Sequence, residues 1–363
     1  MAMPEQQLSE VGAILPTDPG DQRAPRHRAA SLPLPVAVIG AGNMGRHHTR
    51  NYDEFSDAEL RAIVDVDIAR AEALAERHGC RAFASVEQLL VEEPDVVAAS
   101  IVTPTQDHVA TAAALIAAGK HVLVEKPIAA TLDQADRLIA LAEEHDVVLA
   151  VGHVERFNPA VRTLKRLIEE GEMGEIVSVV ARRVGVMPPQ VKDANVILDL
   201  AIHDVDVFRF LLDAELPTEA FCNAGRTNGG DLFDFADMFL RFGRVACLLQ
   251  VNWVTPVKIR ELAVTGTRGY AEVEYVRQEL RYHAAQPVRT ADSFSDVTAY
   301  SERDPELVEH EHVEPLAREL GEFLRAVAGR PAEIVTGDEA RRSMEVVLRL
   351  VELAEREELP APR

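Results

Sequence analysis

The sequence is short of cysteine and of basic charge. Its three cysteines, Cys80, Cys222 and Cys247, form no Cys-x-x-Cys pair and cannot all join in disulfides, which fits a reducing compartment. Lysine and arginine number 38 against 60 aspartates and glutamates, so the net charge is −22. This excess of acid argues against nucleic acids and membranes as partners, because nucleic acids and anionic membranes select basic surfaces.

Long apolar runs and metal-ligand patterns are also missing. No stretch is long and apolar enough to span a bilayer, and the N-terminus has neither an apolar signal core nor a twin arginine. We therefore expect a cytoplasmic protein. The run EHEH at residues 309–312 resembles a metal-ligand run only superficially, and no Cys/His metal spacing occurs elsewhere. No metal site is predicted.

The length and the order of patterns predict two domains. The chain has 363 residues, of which 47% are hydrophobic, so it can bury a core. Residues 1–33 show no periodicity and are predicted to form a disordered leader. Strand and helix patterns alternate over residues 34–153, which predicts a doubly wound parallel sheet. Over residues 154–363, consecutive strands and two closing helices predict a mainly antiparallel sheet with C-terminal helices.

The most specific local signal is the apolar run VAVIGAGNMG, which contains Gly40-x-Gly42-x-x-Gly45. Gly40 would make a tight turn after the strand, Gly42 would admit a pyrophosphate, and Gly45 would let the next helix pack closely. The following apolar run ends in Asp65, about where the acid that binds the adenosine ribose is expected. The alternative is a glycine-rich turn without a ligand. We predict an NAD site, since Asp65 and Asp67 would repel the phosphate of NADP.

Two further patterns point to chemistry near this loop. Lys126 follows an apolar strand, and ligands of open α/β sheets bind at the carboxyl ends of strands, so we expect it in the same crevice. A surface ion pair is the alternative for this lysine. Asp199 and His203 are spaced i, i+4 on a predicted buried helix, which places them on one face. Either the acid satisfies a core histidine, or the pair is catalytic and the histidine accepts a proton.

The runs GAGNMG, TPTQDHVATAAALIAAGKHVLVEKPIA and LDLAIHDVD resemble the Gfo/Idh/MocA oxidoreductases, from about residue 34 to 355. The resemblance implies an NAD-dependent dehydrogenase with an N-terminal Rossmann domain. It also implies a C-terminal α+β domain on a large, open antiparallel sheet that often packs in homodimers or homotetramers. By resemblance, Lys126 positions the reacting hydroxyl, and Asp199 and His203 line the substrate, with His203 as acid/base. The predicted cofactor-binding residues are Gly40, Gly42, Asn43, Met44, Gly45, Asp65, Thr103, Pro104, His108, Glu125 and Lys126.

Within that family, the runs GHVERFNP, ARRVG and LDLAIHDVDV look most like the UDP-N-acetylglucosamine 3-dehydrogenase group. Residues 195–197 read Asn-Val-Ile where the family often has three glycines, which leaves the substrate open. We expect oxidation of a sugar hydroxyl, best at C3 of UDP-N-acetylglucosamine. The alternatives are a free-sugar or inositol dehydrogenase and a non-catalytic NAD-binding sensor. Arg156, Asn158 and Arg183 are the predicted sugar or diphosphate contacts, with structural salt bridges as the alternative.

Overall fold

The computed structural model of the chain describes residues 33–187, 195–227, 230–285 and 305–356. Two β-sheets with helices packed on them account for these residues. The predicted leader lies outside the described residues except for Pro33, and the predicted domain bounds stay a prediction.

The first sheet has six parallel strands in the order β3-β2-β1-β4-β5-β6. This is the strand order of a doubly wound dinucleotide-binding fold, as the alternating pattern predicted. Its strands are β1 Leu34–Ile39, β2 Ala58–Val64, β3 Arg81–Phe83, β4 Ala98–Ile101, β5 His121–Glu125 and β6 Leu149–Gly152. The helices that connect them are α1 Asn43–Glu54, α2 Ile68–His78, α3 Val86–Glu92, α4 Thr105–Ala117 and α5 Leu132–Glu144.

Local signals set the ends of these helices. The Asp67 side chain accepts the N–H of Arg70 in the first turn of α2, and Gly79 ends that helix in the left-handed conformation. Thr131 and Gln134 form a complete capping box at the start of α5. These contacts join residues only three or four apart, so the sequence alone predicts them.

The second sheet has eight strands in the order β14-β13-β12-β11-β7-β10-β9-β8. Among the described strands of this second sheet, only the β7–β10 pair is parallel, so the sheet is mainly antiparallel, as expected. The strands are β7 Ile176–Val186, β8 Glu219–Gly225, β9 Phe235–Phe242, β10 Val245–Asn252, β11 Val254–Gly266, β12 Gly269–Glu274, β13 Glu279–Ala284 and β14 Glu306–Leu307. The predicted α/β fold class is confirmed.

The described helices cover one face of the second sheet, and none of them packs on its other face. A short 3-10 helix, Val154–Phe157, leads into α6 Pro159–Glu169, and a π-helical turn, Ile197–Ala201, leads into α7 Ile202–Leu212. α6 and α7 pack against the inner sheet face in one core. On the outer face, Phe221 and Leu248 remain about half exposed.

The last two helices return to earlier parts of the chain. α8, Pro315–Val327, places Leu316, Leu320 and Phe323 in the core against the first sheet. α9, Gly337–Arg356, contributes to the cores of both sheets. Of the helices described, none combines the length and apolar character needed to cross a membrane.

Candidate active site

A cavity of about 710 Å³ opens at the carboxyl ends of β1, β2 and β4. Helix α1 begins beside it, after Gly42, without a side-chain cap, so its first N–H groups are available to phosphate oxygens. Thr103 Oγ1 is buried there and has no hydrogen-bond partner among the described residues. Seven of the predicted cofactor residues line this cavity, namely Gly40, Gly42, Asn43, Met44, Asp65, Thr103 and Pro104.

The three glycines of the loop differ in what surrounds them. Gly40 has φ +110°, and a Cβ there would lie 2.8 Å from the Val102 carbonyl oxygen. A Cβ on Gly45 would lie 1.9 Å from the Gly40 carbonyl oxygen, so no larger residue lets α1 pack this closely on β1. A Cβ on Gly42 would meet nothing within 4 Å, so its backbone is open to a ligand. The loop and cavity therefore fit a dinucleotide.

Asp65 is held in a fixed orientation at the end of β2. Its Oδ2 accepts the N–H of Ala41 at 2.7 Å, and its Oδ1 accepts the N–H of Asp67 at 2.9 Å. Each oxygen keeps a further lone pair for a ligand hydroxyl. The Arg70 guanidinium lies 3.7 Å from Asp65 and 3.4 Å from Asp67, and it lines the same cavity.

His108 and Glu125, both predicted to bind the cofactor, make hydrogen bonds with other protein groups. The His108 side chain is buried, and its two ring nitrogens each lie 2.9 Å from a backbone carbonyl oxygen, of Thr103 and of Pro127. Neither His108 nor Glu125 is among the residues that line the cavity. His108 therefore clamps together the two loops that follow β4 and β5.

Lys126 joins the end of β5 to the π-helical turn. Its Nζ donates to the carbonyl oxygen of Asp199 at 2.9 Å and to Asp199 Oδ1 at 3.1 Å. Behind it, the Lys126 N–H donates to Glu125 Oε2 at 3.3 Å, and Glu125 Oε1 lies 3.1 Å from His48 Nε2. Burial opposes ionisation of Glu125, but the hydrogen bond with His48 and the charges of His48 and Lys126 outweigh it and keep its pKa below the usual value. Glu125 therefore keeps negative charge beside the lysine.

His203, the second residue of α7, is a partly buried histidine near this ion pair. Burial lowers its pKa well below the ordinary value, and the positive charges of Lys126 and Arg183 add to the effect. Its Nδ1 has no hydrogen-bond partner among the described residues. Asp199 binds Lys126 rather than His203, so the alternative in which the acid satisfies a core histidine is not what the structure shows. The ring is neutral near pH 7 and able to accept a proton.

The three predicted substrate contacts are engaged with protein partners. Arg156 Nε and Nη2 donate to Asp206 at 2.6 and 2.9 Å, and Arg183 Nε and Nη2 donate to Asp204 at 2.6 and 3.1 Å. Both arginines are at least 94% buried. Asn158 caps α6 and donates to a backbone carbonyl oxygen. These contacts match the salt-bridge alternative, and a ligand would have to displace the aspartates to use the same donors.

The two aspartates that hold these arginines were missed at the level of sequence. α7 was predicted to be a buried helix, and two aspartates that the prediction did not single out, Asp204 and Asp206, are both buried in it. Asp206 also lies 3.6 Å from the buried His153, which follows β6 directly. No local pattern links residues 21 or 50 positions apart, as these pairs are. The alternation HDVDV was the available signal, since two acids beside a histidine are unusual in a buried helix.

Comparison with known proteins agrees with this architecture. A profile described as an oxidoreductase family with an NAD-binding Rossmann fold matches residues 34–153, and a GFO/IDH/MocA C-terminal domain profile matches residues 161–272. The chain belongs to the Gfo/Idh/MocA oxidoreductase family. The resemblance inferred from the sequence motifs is thereby confirmed, and with it the expectation of a dehydrogenase-type enzyme.

Several Gfo/Idh/MocA relatives align over most of the chain. UDP-N-acetylglucosamine 3-dehydrogenase of Acidithiobacillus ferrooxidans is 33% identical over 87% of this chain and 95% of its own length. An inositol 2-dehydrogenase of Acidothermus cellulolyticus is 32% identical over 70% of this chain and 77% of its own length. A solved structure of the Acidithiobacillus enzyme superimposes with a TM-score of 0.76 at 30% identity, covering 88% of this chain and 97% of the other.

Proposed function

We propose that the protein is an NAD-dependent dehydrogenase that oxidises the C3 hydroxyl of UDP-N-acetylglucosamine. The observation that carries the chemistry is the Lys126–Asp199 ion pair beside His203, whose pKa lies well below its ordinary value, so that its ring is neutral. The similarity to the Acidithiobacillus UDP-N-acetylglucosamine 3-dehydrogenase, over 87% of this chain and 95% of that enzyme, supports the substrate.

The cofactor cavity supports a dinucleotide, and Asp65 favours NAD over NADP. The free N–H groups after Gly42 would bind the pyrophosphate, and the fixed carboxylate of Asp65 would accept the ribose hydroxyls. A 2′-phosphate would meet that carboxylate, while Arg70, already near two acids, offers only partial compensation. When bound, NAD supplies the acceptor for the hydride that leaves the sugar carbon.

The side chains divide the remaining work of alcohol oxidation. Lys126 would donate a hydrogen bond to the reacting hydroxyl and stabilise negative charge that develops on its oxygen. His203 would take the hydroxyl proton, because burial and nearby positive charge keep its ring neutral. Asp199 holds the Lys126 ammonium in place through two acceptor atoms. Oxidation would thus leave the hydroxyl proton on His203, while the hydride would go to the bound cofactor.

The runner-up is a dehydrogenase of inositol or a free sugar. It is favoured by the inositol dehydrogenase relatives and by the burial of Arg156 and Arg183, which removes two candidate phosphate contacts. A non-catalytic NAD sensor is disfavoured because Lys126, Asp199 and His203 are brought together. The half-exposed apolar residues on the outer face of the second sheet support the predicted homodimer or homotetramer, and a cytoplasmic location stays a prediction.

A direct comparison of substrates tests the proposal. The protein would be incubated with NAD and either UDP-N-acetylglucosamine or myo-inositol, with a coupled aminotransferase to draw off the keto sugar. NADH absorbance and the mass of the sugar product would be followed together. If NADH forms with inositol but does not form with a UDP-sugar, the proposed substrate is wrong and the runner-up takes its place.

Variants test the residues separately from the substrate. His203→Ala and Lys126→Ala should lose about 10²- to 10⁴-fold in kcat and still bind NADH, as expected when a proton acceptor or its electrostatic partner is removed. The matched control is His145→Ala, an exposed histidine at the end of α5. Near wild-type turnover in either site variant would contradict that residue's assignment.

A further inference from the structure

Arg156, Arg183 and Arg260 lie on the inner side of the second sheet and differ in whether their Nε and Nη2 atoms have partners. In Arg156 and Arg183 the Nε and Nη2 atoms, which form the side-on fork of a guanidinium, are both occupied by an aspartate of α7. In Arg260 the nitrogen that bonds to described residues is Nη1, which donates to the backbone carbonyl oxygens of Val184 at 2.6 Å and Ile259 at 2.8 Å. Within the described residues, its fork has no hydrogen-bond or ion-pair partner.

The strand register places that open fork on the substrate side of the sheet. Arg260 on β11 is paired with Arg183 on β7, and paired residues of adjacent antiparallel strands point to the same face. Arg183 faces α7, where it binds Asp204. Arg260 therefore faces α7 too. Its positive charge contributes to the lowered pKa of His203, and the negative charge of Asp199 acts to raise the pKa of Arg260.

The backbone contacts fix the Arg260 head group before any ligand arrives. Nη1 uses both of its hydrogens on carbonyl oxygens, so the guanidinium plane is set and the Nε and Nη2 hydrogens share one direction. A preset fork loses little entropy on binding and matches two oxygens of a phosphate or carboxylate. Burial lowers the pKa of Arg260, which remains a cation at neutral pH because arginine cannot be deprotonated in proteins.

We propose that the open fork of Arg260 is the anion-binding subsite of the substrate pocket, and that it receives a phosphate group of a nucleotide diphosphate sugar. The inference rests on the proposed function in one respect, because it assumes that the sugar lies against Lys126 and His203. Arg156 and Arg183, which the sequence suggested as diphosphate contacts, are not free to bind a phosphate because aspartates of α7 already occupy their donors. A carboxylate of a sugar acid shares the required chemistry, so the test includes both anions.

The test measures anion binding rather than turnover. UDP would be titrated into the protein saturated with NAD, and glucuronate would be titrated in a parallel arm. Arg260→Met should weaken UDP binding about 10- to 100-fold, the usual effect of losing a charge-assisted pair of hydrogen bonds. Arg260→Lys should recover only part of the loss, since an ammonium restores the charge and not the fork. NADH affinity and Tm of each variant show whether it is folded.

The matched control is Arg182→Met. Arg182 is adjacent to Arg183 on β7 but lies on the other face, where it is exposed and 3.7 Å from Glu261. It should bind UDP like the wild type. Equal UDP binding by wild type and Arg260→Met, or no binding of either anion by the wild type, would overturn the proposal. Glucuronate binding that depends on Arg260, without UDP binding, would keep the subsite and assign it to a sugar acid. All of these outcomes concern anion binding, and none of them depends on whether His203→Ala retains turnover.

Discussion

Glu319 should make the protein less stable as the pH rises from acid to neutral. It lies on α8 with 2% of its surface exposed, and neither carboxylate oxygen has a hydrogen-bond partner among the described residues. Burial raises its pKa well above the ordinary value, and the negative charges of Glu125 and Asp206 raise it further. A buried, unpaired carboxylate is costly, so the folded protein holds this group protonated.

The sign and size of the effect follow from proton binding. In the unfolded chain a glutamate has a pKa near 4.3, so at pH 7 it must take up a proton on folding. The folded state then binds more protons than the unfolded state, and stability falls as pH rises above the unfolded pKa until the folded pKa is reached. If Glu319 is still protonated at pH 7, the cost is about 1.36 kcal/mol for each of roughly 2.7 pH units, or about 3.7 kcal/mol.

Glu319→Gln removes this cost because an amide has nearly the same shape and no charge. The variant should match the wild type near pH 4.5 and gain stability on it by about 1.4 kcal/mol per pH unit above that. At pH 7 the gain corresponds to a rise in Tm of about 5 °C or more. Calorimetry at several pH values between 4.5 and 7.5 measures the difference.

The control is Glu72→Gln, which neutralises an exposed glutamate on α2 and should change stability by no more than about 0.5 kcal/mol. A stability difference between Glu319→Gln and wild type that stays constant with pH would show that Glu319 does not change its protonation on folding. That result would refute the reasoning from its burial and missing partners.

Three other perturbations test the site. Gly45→Ala should lower Tm and weaken NADH binding in a fluorescence titration, because its Cβ would overlap the Gly40 carbonyl oxygen at 1.9 Å; unchanged NADH affinity would contradict the close approach of α1. The kcat/KM for oxidation should fall only below about pH 6.5, since His203 must lose its proton to act as a base and its pKa lies below the ordinary value. A decline that begins above pH 7 would contradict a depressed pKa. Asp65→Asn should weaken NAD binding about tenfold and raise the NADP/NAD preference through Arg70, and an unchanged preference in initial-rate assays would remove Asp65 from cofactor selection.

The first sheet and its cofactor loop could be predicted from local sequence patterns. Gly40 and Gly45 are fixed by contacts within a few residues or with the adjacent strand, and Asp67 and Thr131 cap helices through their own neighbours. Such features depend on short-range geometry, which the order of residues states directly. Lys126 was expected at the same edge for a similar reason, because the carboxyl ends of parallel strands meet there. It follows β5 and bonds to Asp199, and it is not among the residues that line the cofactor cavity, so its place in that crevice stays a prediction.

The partners of buried charges were not predictable in the same way. Arg156 meets Asp206 and Glu339, which follow it by 50 and 183 residues. The sequence shows that both signs of charge are present and does not show which pair is buried together. The choice between a substrate contact and a salt bridge therefore needed the three-dimensional arrangement of α7 and α9, and so did the selection of Arg260.

The packing of α8 also has a consequence for how the protein is made. The face of the first sheet that contains Leu34 is covered by Leu316 and Phe323, which lie about 280 residues later in the chain. At the usual rate of translation, ~5–20 residues per second, this apolar face leaves the ribosome tens of seconds before its cover is synthesised. The nascent chain therefore presents a hydrophobic surface until α8 has been synthesised. A ribosome that stops after residue 285 would release a chain whose first sheet still lacks that cover.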